Sequence, residues 1–181
     1  MIIGITGTDG AGKGTVVAYL ATRGYAYYSS RDFIVAEINR QKLPVSRNQM
    51  RLTANQLRQQ HGNEFVVKQA YEKARAEGQT NVVIESIRAF AEAEYLKAHG
   101  GVLLAVDADQ ELRYQRVQQR RSESDQVTFS EFVAHEELEK NDPDPHGMQK
   151  AKVIEMADHI IINDSNVDEL HSQVNAFLSK Y

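Results

Sequence analysis

The sequence contains no cysteine. Disulfides, thiolate metal sites and cysteine nucleophiles are therefore excluded. No apolar run is long enough to span a bilayer. Positive charge is not in excess. The 21 Lys and Arg against 25 Asp and Glu leave a net charge of −4, so there is no global basic field for nucleic acid. Internal repeats and low-complexity tracts are absent, and the six histidines show no metal-ligand spacing. Proline is scarce, and the three present mark boundaries: Pro44 ends a helix, and Pro143 and Pro145 lie in a turn-rich stretch. A chain of 181 residues suits one domain, 1–181, or one domain with a small mobile insert. The sequence opens on a strand with no signal-type segment, and a cytoplasmic location is expected.

What is present is concentrated in Ile2 to Thr15, IIGITGTDGAGKGT. The apolar run Ile2–Ile5 reads as a buried parallel strand. It breaks into the glycine-rich stretch Gly7, Asp9, Gly10, Ala11, Gly12, Lys13, Gly14, and Thr15 opens a helix. Strand, glycine loop, helix is the context of a phosphate-binding loop. Glycines bring backbone N–H groups close to an anion, and the helix N-terminus adds partial positive charge. Lys13 supplies a full charge for the outer phosphates of a nucleotide. Gly7 to Lys13 fits G-x-x-x-x-G-K, but the hydroxyl expected after the lysine comes one residue late, at Thr15.

Further along, Tyr25–Tyr28, Asn81–Glu85, Val102–Val106 and His159–Asn163 read as four more strands. Carboxyl ends of parallel strands are where open α/β sheets place ligands. That rule puts Ser29, Arg31 and Asp32 near the phosphate loop. Ser46 with Gln49 forms a capping-box pattern, and Met50, Ala54 and Leu57 share the apolar face of a helix over 46–60. A second helix follows over about 64–77. Arg47, Arg51, Arg58 and Lys68 in this region read as solvated surface with a possible substrate contact. Glu85 ends an apolar run, either as a Mg²⁺ ligand or as an N-cap. Arg113, Arg116 and Arg120 fall at spacings of three and four, forming one stripe. The stripe is either a solvated face balanced by Glu111 and Glu123 or a clamp on phosphates and a base. Thr128 with Glu131 makes another capping box, after a loop expected over 122–127. Asp144-Pro-His-Gly147 matches D-x-x-G only formally, because it lies on no strand end and no N-K-x-D follows. Leu170, Val174, Phe177 and Leu178 give the last helix an apolar stripe.

The G-K-G-T ending of the loop resembles the nucleoside monophosphate kinases, the adenylate kinases in particular, and D-G-A-G resembles the thymidylate kinase loop. Ser29–Asp32 resembles the S-T-G-D segment of adenylate kinases and the corresponding segment of dephospho-CoA kinases. V-D-A, L-R-x-x-R and R-R resemble both families before the lid, and the closing A-D-H-I-I-I-N-D resembles dephospho-CoA kinases. As a whole the chain resembles archaeal-type nucleotide kinases related to both.

The resemblance implies a three-layer α/β P-loop kinase with a five-stranded parallel sheet of order 2-3-1-4-5. It also implies an acceptor-binding helical insert over about 30–78 and a lid over about 122–147. The donor would be ATP with Mg²⁺, held by the loop, Lys13 and Arg116, with Thr15 and Glu85 at a largely hydrated ion. The acceptor, a small nucleotide, would meet Ser29, Arg31, Asp32 and Arg88. Arg116 and Arg120 would close from the lid, and backbone near Asn163–Ser165 would border the donor base. Asp32 is either a helix-dipole partner or the base for an acceptor hydroxyl. A nucleoside or deoxynucleoside monophosphate and dephospho-CoA both fit. Thymidylate is supported by Asp9 alone, since D-R-[YF] is missing. A nucleotide-dependent switch or an RNA-associated ATPase is the reading from another class. Composition leaves the oligomeric state open.

Overall fold

The structure, a computed structural model, describes residues 1–120 and 127–181. The chain begins with β1 (Ile2–Gly7), α1 (Lys13–Thr22) and β2 (Ala26–Ser29). Three helices follow: α2 (Ser30–Arg40), α3 (Arg47–His61) and α4 (Phe65–Ala76). Next come β3 (Val82–Glu85), α5 (Phe90–Ala98), β4 (Gly101–Asp107) and α6 (Gln110–Gln119). The described chain resumes with α7 (Phe129–Lys140), α8 (Lys150–Glu155), β5 (His159–Ile162) and α9 (Val167–Leu178). Except for Val127, the loop expected over 122–127 lies outside the described residues, as do Glu123 and Arg121.

The strands form one sheet of order β2-β3-β1-β4-β5, every neighbouring pair parallel. This is the order and class that the sequence leads one to expect. The apolar runs are strands because both faces of the sheet are covered by helices. Alternate residues serve opposite layers. Ile3, Ile5, Leu104, Val106 and Ile161 pack with Val16 and Leu20 of α1 and with Leu170, Val174 and Phe177 of α9. Ile84 and Leu103 face Val67, Ala70 and Ala74 of α4, Ala93 and Leu96 of α5, and Val153 of α8.

Helix starts follow the predicted capping chemistry. Ser46 accepts from the Gln49 N–H, and Thr128 accepts from the Glu131 N–H while Glu131 reaches back. Ser29 caps α2 by accepting from the Asp32 N–H at 3.0 Å.

β1 is central and ends in Gly7, where the chain turns into the loop at φ +127°. A Cβ there would lie 2.0 Å from the Val106 carbonyl oxygen of β4. Gly14 has open space around it and no unusual φ. Gly7→Ala is expected to cost roughly 1–3 kcal/mol through forced displacement of β4. Gly14→Ala is expected to gain up to about 1 kcal/mol by stiffening a helical glycine. Urea denaturation of the two variants checks both signs.

Candidate active site

The loop between β1 and α1 is tied down from behind. The Thr8 hydroxyl donates to Asp107 at the end of β4. Arg113 of α6 donates to the Asp9 carbonyl at 3.2 Å, and Asn163 Nδ2 donates to the Ala11 carbonyl at 2.8 Å. Gly12, at φ +99°, lets Asn163 come this close, because a Cβ would stand 2.4 Å from its amide nitrogen. The Asp9 and Ala11 carbonyls are thus occupied. The N–H groups of Asp9, Gly10, Gly12, Lys13 and Gly14 have no acceptor among the described residues. Unpaired donors at a helix N-terminus form an anion cradle. The Lys13 ammonium lies across the loop, donating to the Thr8 carbonyl at 2.7 Å. Burial pushes it down to about 8, a fall opposed by Asp9 and furthered by Lys150 and Arg88.

A cleft of about 680 Å³ runs from this loop to the helical insert. Asp9, Gly10, Gly12, Lys13, Gly14 and Thr15 line one end, with Ser29, Arg31, Asp32, Glu85 and Arg88 at the strand ends beside them. Ile34, Met50, Ala54, Val66 and Met148 give the far part an apolar wall. Ser86 turns the chain sharply out of β3 at φ +71°, a strained value for a residue with a Cβ. Glu85 accepts from the Tyr27 hydroxyl at 2.9 Å. The Asp32 carboxylate makes no hydrogen bond or ion pair among the described residues. Thr15 and Glu85 line the same end as Lys13. This pair of oxygen donors is the chemistry that suits a Mg²⁺ ion keeping most of its water.

Two buried charge clusters frame the cleft. Asp9 has Arg47 at 3.0 Å, Lys150 at 3.8 Å and Lys13 at 4.0 Å. Burial alone would raise its carboxyl. Lys150, Arg88, Lys13 and Arg47 outweigh burial and hold it well below the usual carboxylate value. Glu92 is fully buried on α5. Its Oε1 accepts from Arg58 Nε and Nη2 at 2.9 and 2.8 Å, and its Oε2 accepts from the Arg88 and Ala89 N–H groups at 3.0 Å each. Glu92 therefore fixes the backbone from which the Arg88 side chain enters the cleft.

A family model described as an AAA domain matches residues 3–144. The chain belongs to that AAA domain family. It belongs equally with the UPF0200 proteins. One from Pyrobaculum aerophilum is 31% identical over 98% of this chain and 96% of its own length. Another, from Methanococcus vannielii, is 29% identical over 99% and 95%. Among solved structures, TT1252 from Thermus thermophilus superposes with a TM-score of 0.61 at 23% identity, covering 99% of this chain and 97% of that one. Shikimate kinase from Acinetobacter baumannii, solved with shikimate, gives 0.60 at 18%, covering 99% and 93%. The fold of this AAA-domain chain is that of the P-loop kinases.

Within this UPF0200-type chain, most residues singled out from sequence converge on the cleft: Asp9, Gly10, Gly12, Lys13, Gly14, Thr15, Ser29, Arg31, Asp32, Glu85, Arg88 and Arg120. Gly7 and Ala11 lie beneath the loop rather than on the cleft wall. Arg116 donates to the Asn163 carbonyl at 2.8 Å and is not on the wall. Arg113, read as part of one stripe with Arg116 and Arg120, is buried against Glu136 instead. The surface reading of Arg47, Arg51 and Arg58 gives way. All three line the cleft, Arg51 paired with Asp142 and Arg58 with Glu92. Glu139, Lys150 and Glu92 escaped the sequence reading. A signal existed in α3, where positions 47, 51, 54 and 58 fall on one helical face.

Removing one member of a buried ion pair strands its partner. Glu92→Ala is expected to cost about 3–5 kcal/mol in urea denaturation. It is also expected to loosen Arg88. Helix-only explanations predict a loss of well under half that size.

Proposed function

We propose that the protein is a kinase that moves the γ-phosphoryl group of ATP to a small nucleotide acceptor, foremost a nucleoside or deoxynucleoside monophosphate. The observation that supports this most directly is the set of N–H groups on Asp9, Gly10, Gly12, Lys13 and Gly14 that have no acceptor among the described residues, beside the Lys13 ammonium. These groups would bind the donor phosphates. Arg88, at the head of α5, would grip the acceptor's phosphate in the bidentate manner that guanidinium allows. Ser29 and Arg31 would border the acceptor, with Ile34, Met50 and Val66 against its apolar part. Arg116 and Arg120 would approach the donor from α6. Thr15 and Glu85 would hold Mg²⁺, which supplies charge neutralisation between the donor phosphates when bound. A lid over about 122–147, including α7, would exclude water from the transfer. The reaction is one of positioning and charge stabilisation, with no covalent enzyme intermediate.

A second reading rests on Asp32. Its carboxylate lines the cleft without a bond among the described residues and would take a proton from a hydroxyl, which a phosphate acceptor does not require. Phosphorylation of a ribose hydroxyl, as in dephospho-CoA, is the acceptor chemistry that would use it. A nucleotide-dependent switch would need neither Asp32 nor Arg88. Coupled measurement of ATP consumption across nucleoside monophosphates and dephospho-CoA separates the three. Absence of any acceptor-stimulated turnover would favour the switch.

Lys13→Ala is expected to abolish transfer with the circular dichroism spectrum and melting behaviour retained. Arg88→Ala is expected to lose ~2.7–4 kcal/mol of barrier stabilisation, read as a fall in kcat/KM for the acceptor. The pH dependence follows from Lys13. Below about 8 its ammonium is charged and ready for the triphosphate; above that the free protein loses the charge. ATP affinity is therefore expected to hold from neutral pH to about 8 and then decline. Lys13→Arg, whose charge does not titrate there, should flatten the decline in a calorimetric titration series.

A further inference from the structure

Among the described residues, two that carry a Cβ hold a positive φ, Lys42 at +56° and Ser86 at +71°. Lys42 is exposed and closes the end of α2, its N–H donating to the Asn39 carbonyl, which is an ordinary place for such a value. Ser86 is at no helix end. It follows directly on β3 and lines the cleft.

The backbone on either side of Ser86 is pinned to β1. Glu85 is in register with Ile5, and the Ile87 N–H donates to the carbonyl of that same Ile5 at 3.2 Å. The Thr6 hydroxyl then donates to the Ile87 carbonyl at 2.8 Å. Extended backbone would send successive side chains to opposite faces. With the left-handed turn at Ser86, Glu85, Ser86 and Arg88 all line the cleft, and Ile87 between them is buried in the core.

The turn has a steric cost for any residue with a Cβ. Asn and Asp offset that cost with local hydrogen bonds from their side chains. The Ser86 hydroxyl makes no hydrogen bond among the described residues, so it offers no such compensation. Glycine would make the same turn without steric cost. What glycine would take away is a hydroxyl on the cleft wall, two residues from Arg88 and next to Glu85. Strain kept at a ligand-facing position, with no return to the fold, is accounted for by a bond made to the ligand.

We propose that Ser86 is a ligand of the acceptor, its hydroxyl donating a hydrogen bond to the phosphate that Arg88 grips. The identity of that ligand rests on the nucleotide-kinase reading. A hydroxyl adds a donor without adding charge, so it fixes where a phosphate oxygen sits beside a guanidinium that supplies the attraction.

Two variants set stability against affinity, and neither removes a partner from another described residue. Ser86→Gly releases the strain and deletes the hydroxyl. Ser86→Ala deletes the hydroxyl and keeps the strain. In urea denaturation Ser86→Gly is expected to unfold at a higher denaturant concentration than Ser86→Ala, and at no lower one than the natural protein. Affinity is read by phosphorus NMR as inorganic phosphate is titrated into the full-length protein saturated with Mg²⁺ and the β,γ-imido analogue of ATP, so that the loop is filled. Both variants are expected to bind phosphate about three- to tenfold more weakly than the natural protein, as the loss of one neutral hydrogen bond requires. Unchanged or tighter phosphate binding in either variant would overturn the proposal. A Ser86→Gly protein less stable than the natural one would also overturn it, because the serine would then serve the fold. Arg88→Ala keeps the two readings apart. If it binds phosphate as the natural protein does, the assignment of Arg88 to the acceptor's phosphate fails, and the ligand named for Ser86 fails with it. If it loses phosphate while the Ser86 variants retain it, the acceptor reading stands and the role given to Ser86 alone is wrong.

Discussion

A peptide loop that is to hold an anion must present its N–H groups outward, and the carbonyls must therefore be satisfied somewhere else. That requirement organises this molecule. Arg113 takes the Asp9 carbonyl and Asn163 takes that of Ala11, while Asp107 receives the Thr8 hydroxyl. The three supports come from α6, from the end of β5 and from the end of β4. They arrive together only because the sheet order sets β4 and β5 successively beside β1. The fold is thus a means of tying the back of a short loop so that its front stays unpaired.

The same economy governs the charges. A buried cation is costly without a counterion, and the protein answers with individual carboxylates wherever a cation has a structural task. Arg58 donates from two nitrogens to Glu92, which also accepts from two backbone N–H groups. That one carboxylate connects the insert helix α3 to the head of α5 and thereby to Arg88. Positioning of the candidate acceptor arginine is consequently a property of the insert and the core jointly. Asp9 is different in kind. Held ionised by Lys150, Arg88, Lys13 and Arg47 against the effect of burial, it joins the glycine-rich loop to α3, α8 and the head of α5 in one electrostatic unit.

Much of the framework was legible because it depends on local pattern. Apolar runs of four or five residues bounded by glycine or an acid gave the strands. Gly7-x₄-Gly12-Lys13 gave the loop, and Ser46 and Thr128 gave helix starts. The strand order came from resemblance, since no single strand encodes its neighbour. What stayed hidden depends on partners far apart in sequence. Arg47, Arg51 and Arg58 look like solvated residues on a polar helix until Asp9, Asp142 and Glu92 are brought to them. Arg113, Arg116 and Arg120 share a spacing but not a fate: one is buried against Glu136, one meets a backbone carbonyl, one lines the cleft. Helical periodicity assigns a face, and only the tertiary neighbour assigns what the face does.

The distribution of paired and unpaired groups separates scaffold from chemistry in a way that residue type does not. Arginines occur in both roles here, as do carboxylates. Both Glu92 oxygens are taken up, by Arg58 and by the Arg88 and Ala89 N–H groups, so Glu92 serves the scaffold. Asp32 stands on the cleft wall without a bond from its carboxylate among the described residues, and the loop N–H groups are in the same condition. Groups kept unsatisfied in a cleft impose a cost that folding alone does not recover. A ligand that satisfies them recovers it on binding, which is why capacity left open, rather than capacity present, marks the candidate site.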